Sequence, residues 1–336
     1  MIFRKAFMLG QVDFDTIFDL TDEWSSSDDP RTLREYLGLT PEEEDIWITE
    51  SDEALEDFMM KERSRKVFFT DLDGTLLTDE KKIKPDTKQA IHEALRMGHL
   101  VVLASGRTLS STLRQAKKLD LIHPGCYLIC YNGALIYDIG AEKTLYTSSL
   151  SMDLVLEAFR TAEQFNVHIQ TYAHDDTILA LHETPIIEAY CSVQGLSWKI
   201  VDDISSGLTT PPPKMLAIEN DPEKLEAFRV IMEEKFHDKL DMFQSQSNYL
   251  ELVSPGTNKG NAVRKLCDIL QIPIENSVSA GDAENDLTLI QAAHIGAVMV
   301  NGSPVLKEYA DYITENDNNH DGVAEIIHRF VTGTAK

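Results

Sequence analysis

The chain has 336 residues, an apolar content of 43%, and 56 acidic against 31 basic residues, which gives a net charge of −25. This length allows two or three domains with substantial cores. No basic stretch is suited to follow a phosphate backbone, which opposes a nucleic-acid partner. No apolar run is long enough for a signal peptide or a membrane span, so we expect no membrane partner. The four cysteines form no CxxC pair, a pattern typical of reduced core thiols in a cytoplasmic protein.

Residues 1–65 form an acidic segment with its own helix signals. It carries 18 acidic and 7 basic residues and so supplies −11 of the net charge. Asp29-Pro30 predicts the start of a helix that ends at Gly38, and Thr40-Pro41 predicts the start of another. We therefore predict a small N-terminal extension of two or three helices. It is either a packing or solubilising appendage or a surface for self-association or for a protein partner.

Strands and helices alternate on either side of a long middle segment. From Val67 the order is a short buried strand, a helix over 85–97, the strand HLVVLA, a helix over 109–119 and the strand CYLIC. After residue 259 the order helix, strand, helix, strand resumes. This alternation predicts a Rossmann-like, mainly parallel sheet of the α/β class, formed by residues 66–147 and 252–336.

The middle segment, residues 148–251, has a different order of elements. It reads helix, two strands, helix, strand, a helix that begins at Asp221-Pro222, and two closing strands. Ser105 and Lys259 are 154 positions apart, whereas a helix–strand continuation needs roughly 45. The surplus predicts an α+β domain inserted into the parallel one.

The stretch FFTDLDGT places two carboxylates, Asp71 and Asp73, just after the first predicted strand. Open α/β sheets bind ligands at such strand ends, and Gly74 lets the backbone turn sharply. Mg²⁺ would compensate for carboxylates next to Phe68 and Phe69 and would hold phosphate oxygens nearby. One carboxylate would then attack phosphorus while the other moves protons. A simple Asx-turn also explains DLDG, whereas an EF-hand and a receiver-type phosphorylation switch fit the neighbouring residues poorly.

Three further stretches carry polar residues at comparable places. LASGR puts Ser105 at the end of the second strand, where its hydroxyl either bonds a phosphoryl oxygen or caps the next helix. In TNKGN, Lys259 begins a helix and is either a surface lysine or an anion ligand. SAGDAENDLTLI places Asp282 and Asp286 after another strand, where they either cap a helix or face the first loop across a metal.

Together these stretches resemble the motifs of the haloacid dehalogenase-like phosphatase superfamily over residues 66–336. DLDGT, Ser105, Lys259 and GDAEND correspond to its four motifs in order and spacing. The inserted domain resembles the C2-type cap of the Cof-type subfamily. A cap above the site favours small phosphorylated metabolites over phosphoproteins as substrates.

The resemblance implies an Mg²⁺-dependent phosphomonoester hydrolase that works through an aspartyl-phosphate. Asp71 would be the nucleophile and Asp73 the general acid/base. Asp71, Asp282 and the main-chain carbonyl of Asp73 would hold Mg²⁺. The phosphoryl group would be bound by Ser105, Gly106 and Lys259. The resemblance gives supporting roles to Thr75, Asn132, Asn285, Asp286 and Asn301. Several of these residues could equally be turn or helix-cap residues.

Two other functions remain open from the sequence. A phosphomutase of the same fold would differ only in its cap. A catalytically silent binding or regulatory protein would use the N-terminal helices as its interaction module, although it would have no use for Asp73.

Overall fold

A computed structural model describes residues 2–334 of the chain. The N-terminal segment is helical, as predicted, but it contains five helices rather than two or three. They are α1 (Phe3–Met8), α2 (Thr16–Ser25), α3 (Leu33–Leu37), α4 (Pro41–Thr49) and α5 (Asp52–Arg63). The helices enclose a hydrophobic core of their own, in which the ring of Phe14 meets those of Phe3 and Phe7 edge to face. The aromatic face of this segment is therefore buried mainly within the extension itself.

The predicted start of α3 at Asp29-Pro30 is wrong, whereas α4 begins where the sequence predicts. The N-cap of α3 is Thr32, whose hydroxyl accepts from the Glu35 N–H while the Glu35 carboxylate accepts from the Thr32 N–H. This capping box satisfies two free backbone donors at once. The Asp29 carboxylate instead accepts from Arg31 within the preceding loop.

The first half of the core follows the extension and alternates as predicted. Its elements are β1 (Val67–Thr70), α6 (Pro85–Arg96), β2 (Leu100–Ala104), α7 (Leu109–Lys118), β3 (Cys126–Cys130), β4 (Leu135–Asp138) and β5 (Lys143–Thr147). Among these elements of the first half of the core, only β5 lacks a counterpart in the sequence-based prediction. Its side chains are half-buried or exposed, so no apolar run marks it.

The inserted unit, which we call the cap, follows β5. Its elements are α8 (Met152–Phe165), β6 (His168–Tyr172), β7 (Ile178–Ala180), α9 (Pro185–Gln194), β8 (Trp198–Ile200), α10 (Ile204–Gly207), β9 (Lys214–Ile218), α11 (Pro222–Phe236), β10 (Asp241–Gln246) and β11 (Tyr249–Val253). The six strands form one sheet in the order β10-β11-β9-β6-β7-β8, antiparallel except for the pair β7–β8. Strand β11 ends at Val253, two residues past position 251. The division of the chain into domains at residues 65, 147 and 251 stays a prediction.

The second half of the core returns to the first sheet. Its elements are α12 (Lys259–Leu270), β12 (Ser277–Gly281), α13 (Leu287–Ala292), β13 (Ile295–Val298), α14 (Pro304–Lys307), β14 (Tyr312–Ile313) and α15 (Gly322–Ile326). The strand order is β14-β13-β12-β1-β2-β3-β4-β5, parallel from β14 to β3 and antiparallel at β4 and β5. The predicted α/β class, with a Rossmann-like parallel core, an inserted α+β cap and a helical extension, is confirmed.

Strand β1 lies at the centre of this sheet, between β12 and β2. Phe68 packs on one face of the sheet in a cluster with α6, and Phe69 packs on the other face with α12. Both side chains are fully buried. Residues that follow β1 therefore emerge from the middle of the core at the carboxyl edge of the sheet.

The two chain segments that join the cap to the core run side by side. The hydroxyls of Ser148 and Thr257 are 2.9 Å apart, and the Ser254 hydroxyl donates to the Ser149 carbonyl over 2.9 Å. One face of the cap sheet packs toward the core together with α9, and the other packs against α8, α10 and α11. The two connections between cap and core thus lie together in one narrow seam, and the cap lies above the carboxyl edge of the core sheet.

The N-terminal extension contacts the core near the end of α12. Lys5 lies 3.6 Å from Asp268, Arg4 donates to the Gln271 side chain, and the Asn276 amide donates to the Arg63 carbonyl over 2.6 Å. Helix α12 begins at the carboxyl edge of the sheet, so the extension lies at the opposite end of the core. Within residues 2–334, no helix combines the length and the apolar character needed to cross a lipid bilayer.

Candidate active site

Asp71 is the first residue after β1 and remains tied to the sheet. Its N–H donates to the Ala280 carbonyl of β12 over 3.0 Å, and its side chain is buried. The following loop turns at Gly74, which has a φ of +87°. A Cβ on Gly74 would lie 2.8 Å from the carboxyl carbon of Asp282. Only glycine at this position lets the loop approach the carboxylate that follows β12.

Lys259 provides the buried counter-charge for Asp71. Its ammonium lies 2.6 Å from a carboxylate oxygen of Asp71 and 2.6 Å from one of Asp286. The side chain is only 1% exposed, which excludes a surface lysine. Burial raises the pKa of Asp71, and Lys259 opposes that rise. Burial also lowers the pKa of Lys259, but the charges of Asp286 and Asp71 outweigh it and raise the net value.

Three carboxylates converge beside this lysine. One oxygen from each of Asp71, Asp282 and Asp286 lies within 4.8 Å of the other two. The Thr75 hydroxyl donates to Asp282 over 2.7 Å and fixes its orientation. Burial raises the pKa of Asp282 to about 6, partly offset by the Thr75 hydrogen bond. Asp286 is held by the N–H groups of Asp282 and Ala283, both at 3.1 Å.

Asp73 is held by two cations rather than by the carboxylate cluster. The Arg107 guanidinium bonds it through Nε over 3.0 Å and through Nη2 over 2.9 Å. The Lys81 ammonium lies 2.8 Å from the same carboxylate. Burial raises the pKa of Asp73, but Lys81 and Arg107 outweigh burial and lower the net value.

Ser105 and Gly106 follow β2 in the loop Ser105–Arg107, which we call the SGR loop. Ser105 is buried, and its hydroxyl accepts from the Arg107 N–H over 3.3 Å. It does not cap α7, because Thr108 occupies that position. A Cβ on Gly106 would lie 2.8 Å from the side-chain oxygen of Asn132. The SGR loop and Asn132 are therefore in direct contact.

Asn132 has an unusual environment for a buried amide. It adopts a φ of +56° in the turn after β3, and its side chain is buried. Within the part of the chain that the structure describes, neither of its side-chain polar atoms has a hydrogen-bond partner. Because unpaired buried amides are costly, Asn132 is suited to bind a polar ligand.

The remaining predicted residues lie at the rim of the site. The Asn301 amide donates to the Gly74 carbonyl over 2.8 Å and its oxygen accepts from the Asn318 N–H over 3.2 Å. Asn301 thus supports the first loop from outside. Asn285 is half-buried and lines the cavity described next.

A cavity of about 230 Å³ lies between the core and the cap. Its lining includes core and cap groups, among them Asp71, Asp73, Ser105, Lys214, Tyr249 and Glu251. A larger cleft of about 480 Å³ adjoins it and shares Asn132 and Asn285 with it, but has a more apolar lining that includes Met242 and Phe243. The predicted reactive carboxylates, Asp71 and Asp73, line the smaller cavity.

The structure adds four charged residues that the sequence-based prediction missed. Arg107 and Lys81 hold Asp73, and the cap contributes Lys214, whose ammonium lies 2.8 Å from Glu251. Arg107 directly follows Ser105-Gly106, which is a usable signal. Lys214 and Glu251 each stand within an otherwise apolar strand, KMLAI and YLELV, which is the only sequence signal for their burial.

This chain is similar to known proteins in both sequence and structure. The sequence profile of the haloacid dehalogenase-like hydrolases matches residues 68–327. A Streptococcus pyogenes protein described as a candidate phosphatase is 30% identical over 276 residues, which cover 80% of this chain and 99% of that protein. A Bacillus subtilis 5-amino-6-(5-phospho-D-ribitylamino)uracil phosphatase is 29% identical over 272 residues, 79% and 96% of the two chains. The crystal structure of a haloacid dehalogenase-like hydrolase from Bacteroides thetaiotaomicron superposes with a TM-score of 0.72 at 28% identity, covering 79% of this chain and 99% of that one.

Proposed function

Because this chain belongs to the haloacid dehalogenase-like hydrolase family and is a phosphatase, we propose that it is an Mg²⁺-dependent phosphomonoesterase for a small phosphorylated metabolite. The observation that carries the proposal is the convergence of Asp71, Asp282, Asp286 and Lys259 beside a cavity that the cap covers. The relative named for a phosphorylated ribitylamino compound supports a substrate of metabolite size.

The carboxylate cluster suits Mg²⁺, which prefers oxygen ligands and few carboxylates. Asp71, Asp282 and the main-chain carbonyl of Asp73 would hold the ion, with Asp286 in a supporting role. Bound Mg²⁺ would neutralise charge on the phosphate oxygens. Thr75 and Gly74 favour this arrangement, because the first orients Asp282 and the second leaves room for it.

The proposed reaction has two displacements at phosphorus. A carboxylate oxygen of Asp71 forms a bond to phosphorus while the bond to the ester oxygen breaks, and Asp73 gives that oxygen a proton. Asp73 can carry this proton only when it is separated from Lys81 and Arg107, which favour its ionised form. A water molecule then loses its proton to Asp73 and attacks the phosphorus of the aspartyl-phosphate. Phosphate leaves, and both carboxyl groups return to their starting states.

The remaining predicted residues hold the phosphoryl group during these steps. The Ser105 hydroxyl, the Gly106 N–H and the Lys259 ammonium would donate to its oxygens, because the Ser105 and Arg107 N–H groups already donate within the protein. Such fixed donors matter because phosphoryl transfer depends mainly on positioning and on charge neutralisation. The cap would exclude bulk water and select the leaving group.

A screen of phosphorylated metabolites with and without Mg²⁺ tests the proposal. Purified Asp71→Asn protein, assayed in parallel, reports any contaminating phosphatase. We expect phosphate release from a subset of the metabolites, loss of release after exhaustive chelation, and recovery with Mg²⁺ but only poorly with Ca²⁺. Equal rates after chelation, or in the Asp71→Asn protein, would contradict the proposal. Transfer of phosphate between two sugar positions without release would indicate a phosphomutase instead.

A further inference from the structure

Two charged side chains of the cap form hydrogen bonds with the core at or next to the SGR loop. The first is Lys214 on β9, which is only 2% exposed. Its ammonium donates to the Gly106 carbonyl of the SGR loop over 3.1 Å. The cap therefore contacts the main chain of the loop to which we assign phosphate binding.

Lys214 is held firmly from the cap side. Its ammonium lies 2.8 Å from the Glu251 carboxylate on the neighbouring strand and 5.2 Å from the centre of the Tyr172 ring. The second oxygen of Glu251 accepts from the Ser245 hydroxyl over 2.9 Å. These contacts restrict the ammonium to one position, so its hydrogen bond can hold Gly106 rather than follow it.

The second side chain is Asp176, in the turn between β6 and β7. Its buried carboxylate accepts from the Ser110 N–H over 2.6 Å and from the Tyr131 hydroxyl. Ser110 lies just beyond the SGR loop, and Tyr131 directly precedes Asn132. The Tyr131 N–H also donates to the Arg107 carbonyl over 2.9 Å, which links the two segments within the core.

We propose that Lys214 and Asp176 are positioning residues through which the cap holds the SGR loop and Asn132 in place to bind phosphate. This inference rests on the proposed function. Ordering a loop costs conformational entropy, and donors that are already in position bind an anion more tightly than mobile ones. The cap then contributes to the affinity for phosphate itself, beyond any contact with the leaving group.

Inorganic phosphate distinguishes this role from a leaving-group contact, because it has no leaving group. The first variant is Lys214→Met combined with Glu251→Gln, since loss of Lys214 alone would leave a buried uncompensated carboxylate. The second is Asp176→Asn, which keeps the shape of the side chain but removes one acceptor. The matched control is Asp175→Asn, because Asp175 is exposed in the same turn and accepts from the Thr177 N–H over 3.1 Å.

Phosphate affinity is measured by calorimetry in Mg²⁺ buffer, and kcat/KM is measured with several phosphate esters. We expect phosphate to bind about 10-fold more weakly to the double variant and about threefold more weakly to Asp176→Asn. Both factors lie within the range expected for the loss of one buried hydrogen bond. The value of kcat/KM should fall by a similar factor for every ester. The Asp175→Asn control should match the wild type in both measurements.

Unchanged phosphate affinity in both variants, with kcat/KM altered for only some esters, would overturn the inference and assign the two side chains to the leaving group. If melting curves show that the double variant does not fold, Asp176→Asn decides the question alone. A wild-type protein that neither binds phosphate nor hydrolyses any ester would overturn the proposed function, and the inference with it.

Discussion

Lys259→Met should destabilise the protein strongly in the absence of metal. The ammonium is buried between Asp71 and Asp286, 2.6 Å from each, and Asp286 has no exposed surface. Its removal leaves two neighbouring buried carboxylates without their counter-charge. Breaking a buried ion pair in this way costs about 3–5 kcal/mol. At about 1.4 °C of Tm per kcal/mol for a chain of 336 residues, the melting temperature should fall by roughly 4–7 °C.

The assay is thermal melting in EDTA, so that no divalent ion replaces the lost charge. Arg264→Met is the control, since Arg264 is exposed on the same helix and such surface changes are usually small. Adding Asp286→Asn to Lys259→Met should recover much of the loss, because it removes one of the two uncompensated charges. A Lys259→Met protein that melts with the wild type, or no recovery in the double variant, would refute the assignment of Lys259 as the counter-charge.

Three further predictions concern catalysis, the extension and the thiols. Asp73→Asn should lower kcat by about 10²–10⁴-fold, the usual contribution of a positioned acid/base, whereas Asp71→Asn should abolish turnover; normal rates in either purified variant would contradict these roles. A chain that begins at Lys61 should fold and keep its kcat on a generic phosphate ester, because the extension contacts the core at the far end of α12. Gel filtration, melting curves and kinetic assays test this prediction, and a truncated protein that folds but is inactive would refute it. Burial raises the pKa of Cys126 and Cys130 to about 12, so a thiol reagent at pH 8 should react with these two thiols slowly in the native protein and rapidly after denaturation. Fast labelling of either thiol in the native protein would show that strand β3 opens.

Most elements of the core were predictable because they carry a local signal, whereas β5, α14, β14 and α15 were not predicted. The helix KGNAVRKLCDIL has the predicted bounds, Lys259–Leu270, and the run CYLIC forms β3. Strand β8 was missed because it lies at the edge of the cap sheet with exposed side chains, so it shows neither an apolar run nor alternation. The start of α3 was misplaced because Asp29 and Thr32 both resemble N-caps, and only the reciprocal bond from Glu35 distinguishes them.

Convergence of the site was predictable from strand order, but its ion pairs were not. Asp71, Ser105 and Asp282 each follow a central parallel strand, and the carboxyl ends of such strands meet at one edge. The pairing of Arg107 with Asp73 depends on side-chain conformations that no spacing encodes. The contact from Lys214 to Gly106 depends on how the cap sits on the core, which is a property of the folded chain alone.

The narrow seam at Ser148 and Thr257 has an evolutionary consequence. Since the cap leaves and rejoins the core at neighbouring points, recombination could replace it with another domain whose termini are close together, at little cost in chain closure. The core would keep its four sequence motifs, which supply the carboxylates, the hydroxyl and the ammonium of the site. The exchanged domain would alter which esters fit into the cavity. Such a replacement would still have to bring groups that reach Gly106 and Ser110, so only a subset of foreign domains would yield a working hybrid.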